Sequence, residues 1–204
     1  SGYSVSLSSD GTIVAIGAPY NGGNGNDAGH VRVYQYTNNN WAQLGADIDG
    51  EANGDQSGYS VSLSSDGTIV AIGAHLNDEN GSNSGHVRVY QYSNNSWMQL
   101  GADIDGEAAQ DYSGFSVSLS TDGSIVAIGA WKNDGNGSNS GHVRVYNYNG
   151  TSWVQLGNDI DGESADDYSG WSVSLSSDGN TVAIGAHSND ANGTDAGRAA
   201  VLDW

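Results

Sequence analysis

Residues 1–18 read SGYSVSLSSDGTIVAIGA, and the chain contains this stretch four times. It returns unchanged at 57–74 and with small edits at 113–130 (SGFSVSLSTDGSIVAIGA) and at 169–186 (SGWSVSLSSDGNTVAIGA). Successive copies start 56 residues apart, at Ser1, Ser57, Ser113 and Ser169. A fixed period of this length is typical of an array of supersecondary units, so the fold and any function must come from what the array builds.

Within one repeat the pattern predicts four short strands. Residues 3–8 alternate aromatic or apolar residues with serine, and residues 12–18 form a β-branched run that suits a buried strand. A third strand is predicted at 30–36. A weaker fourth is predicted at 41–47, where Gly45 interrupts it as suits an outer edge.

Four strands in each period of 56 residues describe one blade of a β-propeller. The sequence therefore predicts an all-β propeller in which residues 1–204 are a single domain with four blades of four antiparallel strands. The last repeat ends after its third strand, so the fourth blade has only three strands from this chain. The repeats are 1–56, 57–112, 113–168 and the incomplete 169–204.

The missing sixteenth strand leaves the closure of the propeller open. We expect a four-bladed monomeric ring, because four blades from about 200 residues fall within the usual propeller range. The fourth blade then either keeps three strands or receives one from a segment upstream of Ser1. The remaining alternative is that the chain is part of a larger or oligomeric ring.

Composition narrows the class of partner. The chain carries 24 acidic residues against five Lys plus Arg, a net charge of −19. Nucleic acid and anionic membranes bind basic surfaces and are poor partners for this chain, so we expect no nucleic-acid binding and no membrane insertion, whereas cations and basic surfaces are favoured. The alternative is that the acidic residues only keep an exposed protein soluble. The lack of cysteine excludes disulfides and thiolate metal sites.

Targeting signals are not visible in the sequence. No apolar run approaches the ~20 residues of a membrane span, and no signal peptide is recognisable. Because the chain opens on Ser1 rather than Met, we expect a processed or excised segment.

The motifs of the repeat resemble FG-GAP repeats, the blades of integrin α-subunit propellers and of many bacterial and algal surface proteins. The resemblance rests on Ser1-Gly2-Tyr3, on Gly17-Ala18-Pro19 and on a Gly-x-Val-x-Val-Tyr strand at 29–34. It implies first strands that line the axis, an extracellular or cell-surface location, and a role in binding, adhesion or structural assembly. The calcium loop Asp-x-Asp-x-Asp-Gly of many such repeats is not matched, because residues 8–11 read only Ser-Ser-Asp-Gly.

The acidic loops are the first candidate site. In an up-and-down blade, the loops between strands two and three share one face of the disc with the segments that cross to the next blade. Carboxylates from flexible loops suit calcium, although such loops are also ordinary solvated turns. The candidate metal ligands are Asp47, Asp49, Glu51, Asp103, Asp105, Glu107, Asp159, Asp161 and Glu163.

The positions that follow each Gly-Ala pair are the second candidate site. The strands hardly change between repeats while these positions vary, which fits either a binding surface on a fixed scaffold or drift at exposed sites. Trp131 beside Lys132 is the sharpest candidate, because an exposed Trp suits a sugar ring or a protein hot spot. The candidate ligand-binding residues are Tyr20, His75, Trp131, Lys132 and His187.

Other recurring residues are assigned to structure. The equivalent residues Trp41, Trp97 and Trp153 predict packing at the blade rim, and the aromatic residue that opens each first strand predicts packing beside that strand. The histidine before each third strand is a symmetry equivalent and not part of a metal cluster. Each third-strand arginine is predicted to pair with a carboxylate such as Asp49 or its equivalent.

Catalysis is not predicted. The sequence contains no Gly-x-Ser-x-Gly, His-Glu-x-x-His or phosphate-loop motif, and its carboxylate pairs repeat in every blade without the asymmetry of an active site. The sequence therefore predicts a non-catalytic extracellular or cell-surface module that binds a protein or glycan, as a homo-oligomer or within a longer array. The alternative is a calcium-dependent, lectin-like propeller.

Overall fold

The computed structural model describes residues 1–203 and leaves out Trp204. Within this range the chain forms strands, turns and bends, and it contains no helix that could cross a membrane. The strands fall into four antiparallel sheets that follow one another along the chain.

Each of the first three sheets has five strand segments and the fourth has three. The first sheet comprises β1 (Ser4–Leu7), β2 (Ile13–Ala18), β3 (His30–Thr37), β4 (Asn40–Gln43) and β5 (Ile48–Asp49). The second comprises β6 (Ser60–Leu63), β7 (Ile69–Ala74), β8 (His86–Ser93), β9 (Ser96–Gln99) and β10 (Ile104–Asp105). The third comprises β11 (Ser116–Leu119), β12 (Ile125–Ala130), β13 (His142–Tyr148), β14 (Trp153–Gln155) and β15 (Ile160–Asp161). The fourth comprises β16 (Ser169–Leu175), β17 (Thr181–Ala186) and β18 (Arg198–Asp203).

The outer strand of a blade is interrupted, as the sequence predicts. In the first blade β4 pairs with one end of β3, with Gln43 opposite Tyr34, and β5 pairs with the other end, with Ile48 opposite Val31. Gly45 lies between them with a φ of 76°, a conformation that glycine adopts without strain. The outer strand therefore runs on to Asp49, two residues beyond the predicted end.

The tight turn after each first strand is closed by its own aspartate. Ser8 Oγ donates a hydrogen bond to Asp10 Oδ1 at 2.7 Å, and the backbone N–H of Thr12 donates to the same oxygen at 2.9 Å. The bonds from Ser8 and Thr12 stabilise the ionised carboxylate and lower the pKa of Asp10. This carboxylate serves the turn itself.

The hydrophobic cores lie between blades. Ile13, Val31 and Val33 of the first blade form one cluster with Leu63 and Val70 of the second. Equivalent clusters fill the seams between the second and third blades and between the third and fourth. A sheet that is apolar on both faces is stable only when both are covered, so each blade depends on its neighbours.

At the inner end of each seam two backbones touch. A side-chain carbon at Gly73 would collide with the backbone carbonyl of Gly114 in the next blade and with the hydroxyl of Ser60. Ser60 Oγ donates to that carbonyl at 2.7 Å. The same approach joins Gly17 to Gly58 and Gly129 to Gly170, which explains why these glycines recur in every copy.

The four blades form an open arc. Their first strands contact one another in sequence, β1 to β6 to β11 to β16. Within residues 1–203, no hydrogen bond joins the fourth blade to the first. Leu7 is 60% exposed, whereas its equivalents Leu63 and Leu119 are 7% and 8% exposed in the seams. The ring expected from the sequence is therefore not closed by these residues.

Replacing Gly73 by alanine should destabilise the protein by about 2 kcal/mol or more, because the added methyl group would force two backbones apart. Urea unfolding followed by tryptophan fluorescence measures this change. Gly22→Ala is the control, because Gly22 has a neighbouring atom only at 3.7 Å and lies in a loop. Equal stabilities of the two variants would contradict the proposed role of the seam glycine.

Candidate functional site

Two kinds of loop share one face of the arc, as the sequence predicts. The loop between β2 and β3 lies against the segment that crosses to the second blade. The N–H of Gly54 donates to the carbonyl of Asn26 at 2.9 Å, and Asn24 Nδ2 donates to the carbonyl of Gly50 at 2.8 Å. We call the surface formed by these loops and crossing segments in the four blades the loop face.

A buried aspartate in each crossing segment fixes the loop face to the next blade. Asp111 Oδ2 accepts hydrogen bonds from the N–H of Ala108 and from Asn133 Nδ2, both at 3.0 Å. Burial raises the pKa of Asp111 in spite of these bonds. The pairs Asp55–Asn77 and Asp167–Asn189 repeat the arrangement. The sequence signal for this contact is a constant separation of 22 residues between the two side chains.

Aromatic side chains form a row across the loop face at the start of the first strands. Adjacent ring centroids are 4.8 Å apart for Tyr3 and Tyr59, 5.0 Å for Tyr59 and Phe115, and 4.7 Å for Phe115 and Trp171. The residue after the Gly-Ala pair in the second, third and fourth repeats packs beside this row, as does Tyr20, two residues after the pair in the first. We call the combined set the aromatic arc: Tyr3, Tyr20, Tyr59, His75, Phe115, Trp131, Trp171 and His187.

The structure thus brings the predicted ligand-binding residues into one surface. His75 lies 3.9 Å from Tyr59 between ring centroids, and His187 lies 4.3 Å from Trp171. Lys132 Nζ lies 4.7 Å from the ring centre of Tyr112 and 4.8 Å from that of Trp131, within the range of cation–π attraction. The sequence does not predict that the first-strand aromatic residues belong to the same surface. The one available signal is that this position is aromatic in every repeat and differs only in ring size.

The two ends of the aromatic arc are exposed and its centre is packed. Tyr20 is 59% exposed and Trp171 39%, while His75 is buried and Trp131 is half-buried. Among the described residues, the buried atoms His75 Nδ1 and Trp131 Nε1 have no hydrogen-bond partner. The rim residue Trp97, in contrast, donates its indole N–H to the carbonyl of Leu44 at 2.8 Å. Buried polar atoms without partners cost free energy and need an explanation, which distinguishes Trp131 from the rim tryptophans.

Six of the nine predicted metal ligands fall into three separate groups, two at seams between blades and one on the first blade alone. In each group the possible ligand atoms lie within 4.8 Å of one another: Glu51, Glu79, His86 and Asp103; His30, Asp47 and Asp49; Glu107, His142 and Asp159. Asp105 and Asp161 lie outside these groups, although burial raises the pKa of both. Glu163 pairs with Arg198.

An arginine occupies each seam and engages a carboxylate. Arg88 Nη1 lies 3.2 Å from Glu51 Oε1 of the preceding blade, and Arg88 Nη2 donates to the backbone carbonyl of Asp49 at 2.8 Å. The predicted ion pair is therefore present, but its carboxylate belongs to Glu51 and not to Asp49. Arg32, with no preceding blade in the described chain, makes a two-pronged contact with Asp47 of its own blade at 2.8 and 3.0 Å.

These groups fit calcium poorly. Calcium takes six to eight oxygen ligands, whereas each group offers two or three carboxylates and an imidazole. In two of the groups the seam arginine already pairs with one of the carboxylates, Glu51 or Glu107. Calcium binding stays a prediction from the sequence.

A comparison with protein families finds one match. The FG-GAP repeat model matches residues 42–90, 103–146 and 160–202, which together are more than half of the chain. Among curated proteins no match is found.

Solved structures resemble the chain in fold. Sqt1 of Chaetomium thermophilum, solved with the N-terminus of ribosomal protein L10, is 16% identical with a TM-score of 0.60, and the match covers 98% of this chain and 43% of that one. The β-propeller domain of Cps50 (Swd1) from Myceliophteria thermophila is 10% identical with a TM-score of 0.56 and coverages of 89% and 48%. A candidate 6-phosphogluconolactonase from Bacteroides fragilis is 12% identical with a TM-score of 0.52 and coverages of 77% and 38%.

The four antiparallel sheets and these matches together confirm the all-β propeller fold with four blades that the sequence predicts. The chain spans less than half the length of each of the three structures. Identities this low are evidence of fold and not of activity.

Acidification should destabilise the protein between about pH 6.5 and pH 4. Burial lowers the pKa of His142 to about 4, against an ordinary value of 6.5. Between these values the unfolded chain binds a proton that the folded chain does not, so stability falls as the pH falls. Asp159, Glu107 and Arg144 surround this imidazole.

The variant His142→Gln should lose part of this pH dependence, roughly 2 kcal/mol between pH 7 and pH 5. Urea unfolding at both pH values measures it, and His187→Gln, which changes an exposed histidine, is the control. An unchanged pH dependence in His142→Gln would show that this imidazole does not control it.

Calcium should leave the thermal stability almost unchanged, because arginines already pair with carboxylates at the seams. Melting temperatures in millimolar calcium and in a chelator test this expectation. A higher melting temperature in calcium would instead establish the metal site predicted from the sequence, provided that Asp103→Asn abolishes the increase and that magnesium does not reproduce it.

Proposed function

The chain belongs to the FG-GAP repeat family, and we propose that it is a non-catalytic propeller module that binds another protein outside the cell or at its surface. The family is described in many surface proteins, and a propeller presents loops from several blades on one rigid face. The aromatic arc on the loop face is the observation that carries this proposal.

The aromatic arc has the character of a protein-binding surface. Rigid aromatic residues are enriched at the centres of protein interfaces, where they bury a large area and lose little conformational entropy. Tyr20 and Trp171 offer exposed rings at the two ends of the arc. The acidic loops around it, in a chain with a net charge of −19, favour a partner with apolar or aromatic residues surrounded by Lys and Arg.

The absence of catalysis is part of this proposal. The first two seams carry the same histidine, arginine and carboxylates, so these polar groups are structural equivalents and not a single reaction centre. The likeness to a candidate 6-phosphogluconolactonase, at 12% identity, is one of fold and supplies no catalytic residue.

A glycan is the competing ligand for the aromatic arc, because sugar rings also stack on tryptophan. Trp131 packs among Phe115, Tyr168 and Trp171 with ring centroids 5.1 to 5.5 Å apart, which leaves little of its ring free for a sugar. The poor fit of the acidic groups to calcium also weakens the lectin-like alternative. We therefore favour a protein ligand.

A displayed peptide library tests the proposal. Peptides selected on the intact chain should carry aromatic residues beside Lys or Arg, and Trp171→Ser should weaken their binding about tenfold or more. Tyr36→Ser, at an exposed tyrosine near the end of β3, is the control and should leave binding unchanged.

A glycan array, probed with and without calcium, tests the competing proposal of a glycan ligand. Calcium-dependent glycan binding, without enriched peptides, would favour the lectin-like module. Peptides whose binding is insensitive to Trp171→Ser would place any binding site away from the aromatic arc.

A further inference from the structure

The seam between the first and second blades contains a buried imidazole nitrogen without a partner. The side chain of His86 is 1% exposed, and within residues 1–203 its Nδ1 takes part in no hydrogen bond. This nitrogen faces two carboxylates, at 3.5 Å from Asp103 Oδ2 and 4.0 Å from Glu51 Oε2. A buried polar atom that is aimed at acidic groups and bonds to neither needs an explanation.

Four possible metal ligands meet at this point. Carboxylate oxygens of Glu51, Glu79 and Asp103 and a ring nitrogen of His86 all lie within 4.8 Å of one another. The four residues belong to separate segments, namely the segment that crosses from the first blade, the loop between β7 and β8, β8 itself, and the residue before β10. An ion held by all four would therefore tie the first blade to three parts of the second.

The second repeat alone supplies the fourth ligand. The positions equivalent to Glu79 in the other repeats are occupied by Gly23, Gly135 and Ala191. The corresponding group of the second seam consequently has three members, Glu107, His142 and Asp159. The repeat thus departs from its own pattern at the one position that adds a carboxylate to the group around His86.

The charges at the first seam favour a divalent cation. Arg88 Nη1 pairs with Glu51 Oε1 at 3.2 Å, and the other oxygen of that carboxylate faces His86. Three carboxylates and one guanidinium leave two negative charges, and a buried imidazole adds none because burial disfavours its charged form. A divalent ion would neutralise the group without displacing the arginine.

We propose that this group binds one zinc ion, which acts as a structural tie between the first two blades and is independent of the aromatic arc. Imidazole and carboxylate are both zinc ligands, and four of them complete a tetrahedral site, whereas calcium takes six to eight oxygens. Zinc bonds of about 2.0 Å place tetrahedral ligands about 3.3 Å apart, so the ligand atoms need to close in by roughly 1 Å. Glu51 and Glu79 are exposed and free to make this movement.

Calorimetric titration with zinc, on the intact and untagged chain after treatment with a chelator, tests the proposal. One zinc ion should bind per chain, and the melting temperature should rise with zinc concentration. The zinc should stay bound in millimolar calcium. A chain that binds no zinc, or that exchanges it for calcium, would overturn the proposal.

Glu79→Gly is the sharpest variant, because it gives the first seam the ligand set that the second seam already has. It should weaken zinc binding at least about tenfold, since even residues that only support metal ligands contribute that much. The matched pair is Asp103→Asn, which should weaken zinc binding in the same way, and the control Asp159→Asn at the equivalent position of the second seam, which should not. Unchanged zinc affinity in folded Glu79→Gly, as judged by circular dichroism, would contradict the proposed site.

The converse variant is Gly135→Glu, which adds the missing carboxylate to the second seam. The loop accepts a glutamate there, because the N–H of Glu79 donates to Asn77 Oδ1 at 2.9 Å just as the N–H of Gly135 donates to Asn133 Oδ1 at 2.8 Å. The number of zinc ions bound per chain should rise from one to two. A number that stays at one would show that the fourth carboxylate does not complete the site.

Discussion

The contact of two glycine backbones at the inner end of each seam is the constraint on which the rest of the structure depends. Gly73 and Gly114 lie so close that neither has room for a side chain, and Ser60 bonds across the same point. This approach sets the spacing between blades, and the spacing decides which side chains fill the seam behind it. The most constant part of the sequence is therefore constant for packing, and the binding surface that we propose lies where the copies differ.

Much of the fold follows from the sequence because its determinants are local. The alternation in the first strand, the β-branched second strand and the interrupting Gly45 each act within a few residues. Closure of the blades into a ring, in contrast, does not follow from local sequence. Leu7 and Leu63 occupy identical sequence contexts, yet one is exposed and the other buried. Whether an arc closes depends on the sum of small rotations between blades, and no single repeat encodes that sum.

The site was predictable in part for similar reasons. The positions after each Gly-Ala pair were identified by their variation, and the structure places them together on the loop face. The stacking with Tyr59 and Phe115 could not be foreseen, because it depends on the distance between blades. The carboxylates in the loops likewise predict a cation site from the sequence. In the folded seam, however, the positive charge of Arg88 already lies beside Glu51, although the two residues are distant in sequence.

The near-symmetry of the array makes its departures informative. Lys132 is the only lysine in the chain, and it lies over Tyr112 and Trp131 at the packed centre of the aromatic arc. The buried pair Asp111–Asn133 joins the crossing segment to the third blade beside this point and restrains the backbone there. A rigid surface loses less entropy on binding than a mobile one. A symmetric array would give a ligand several equivalent positions, whereas a single cation among carboxylates distinguishes one position from the others. Under the proposed binding function, the third blade would therefore set the orientation of the ligand on the aromatic arc.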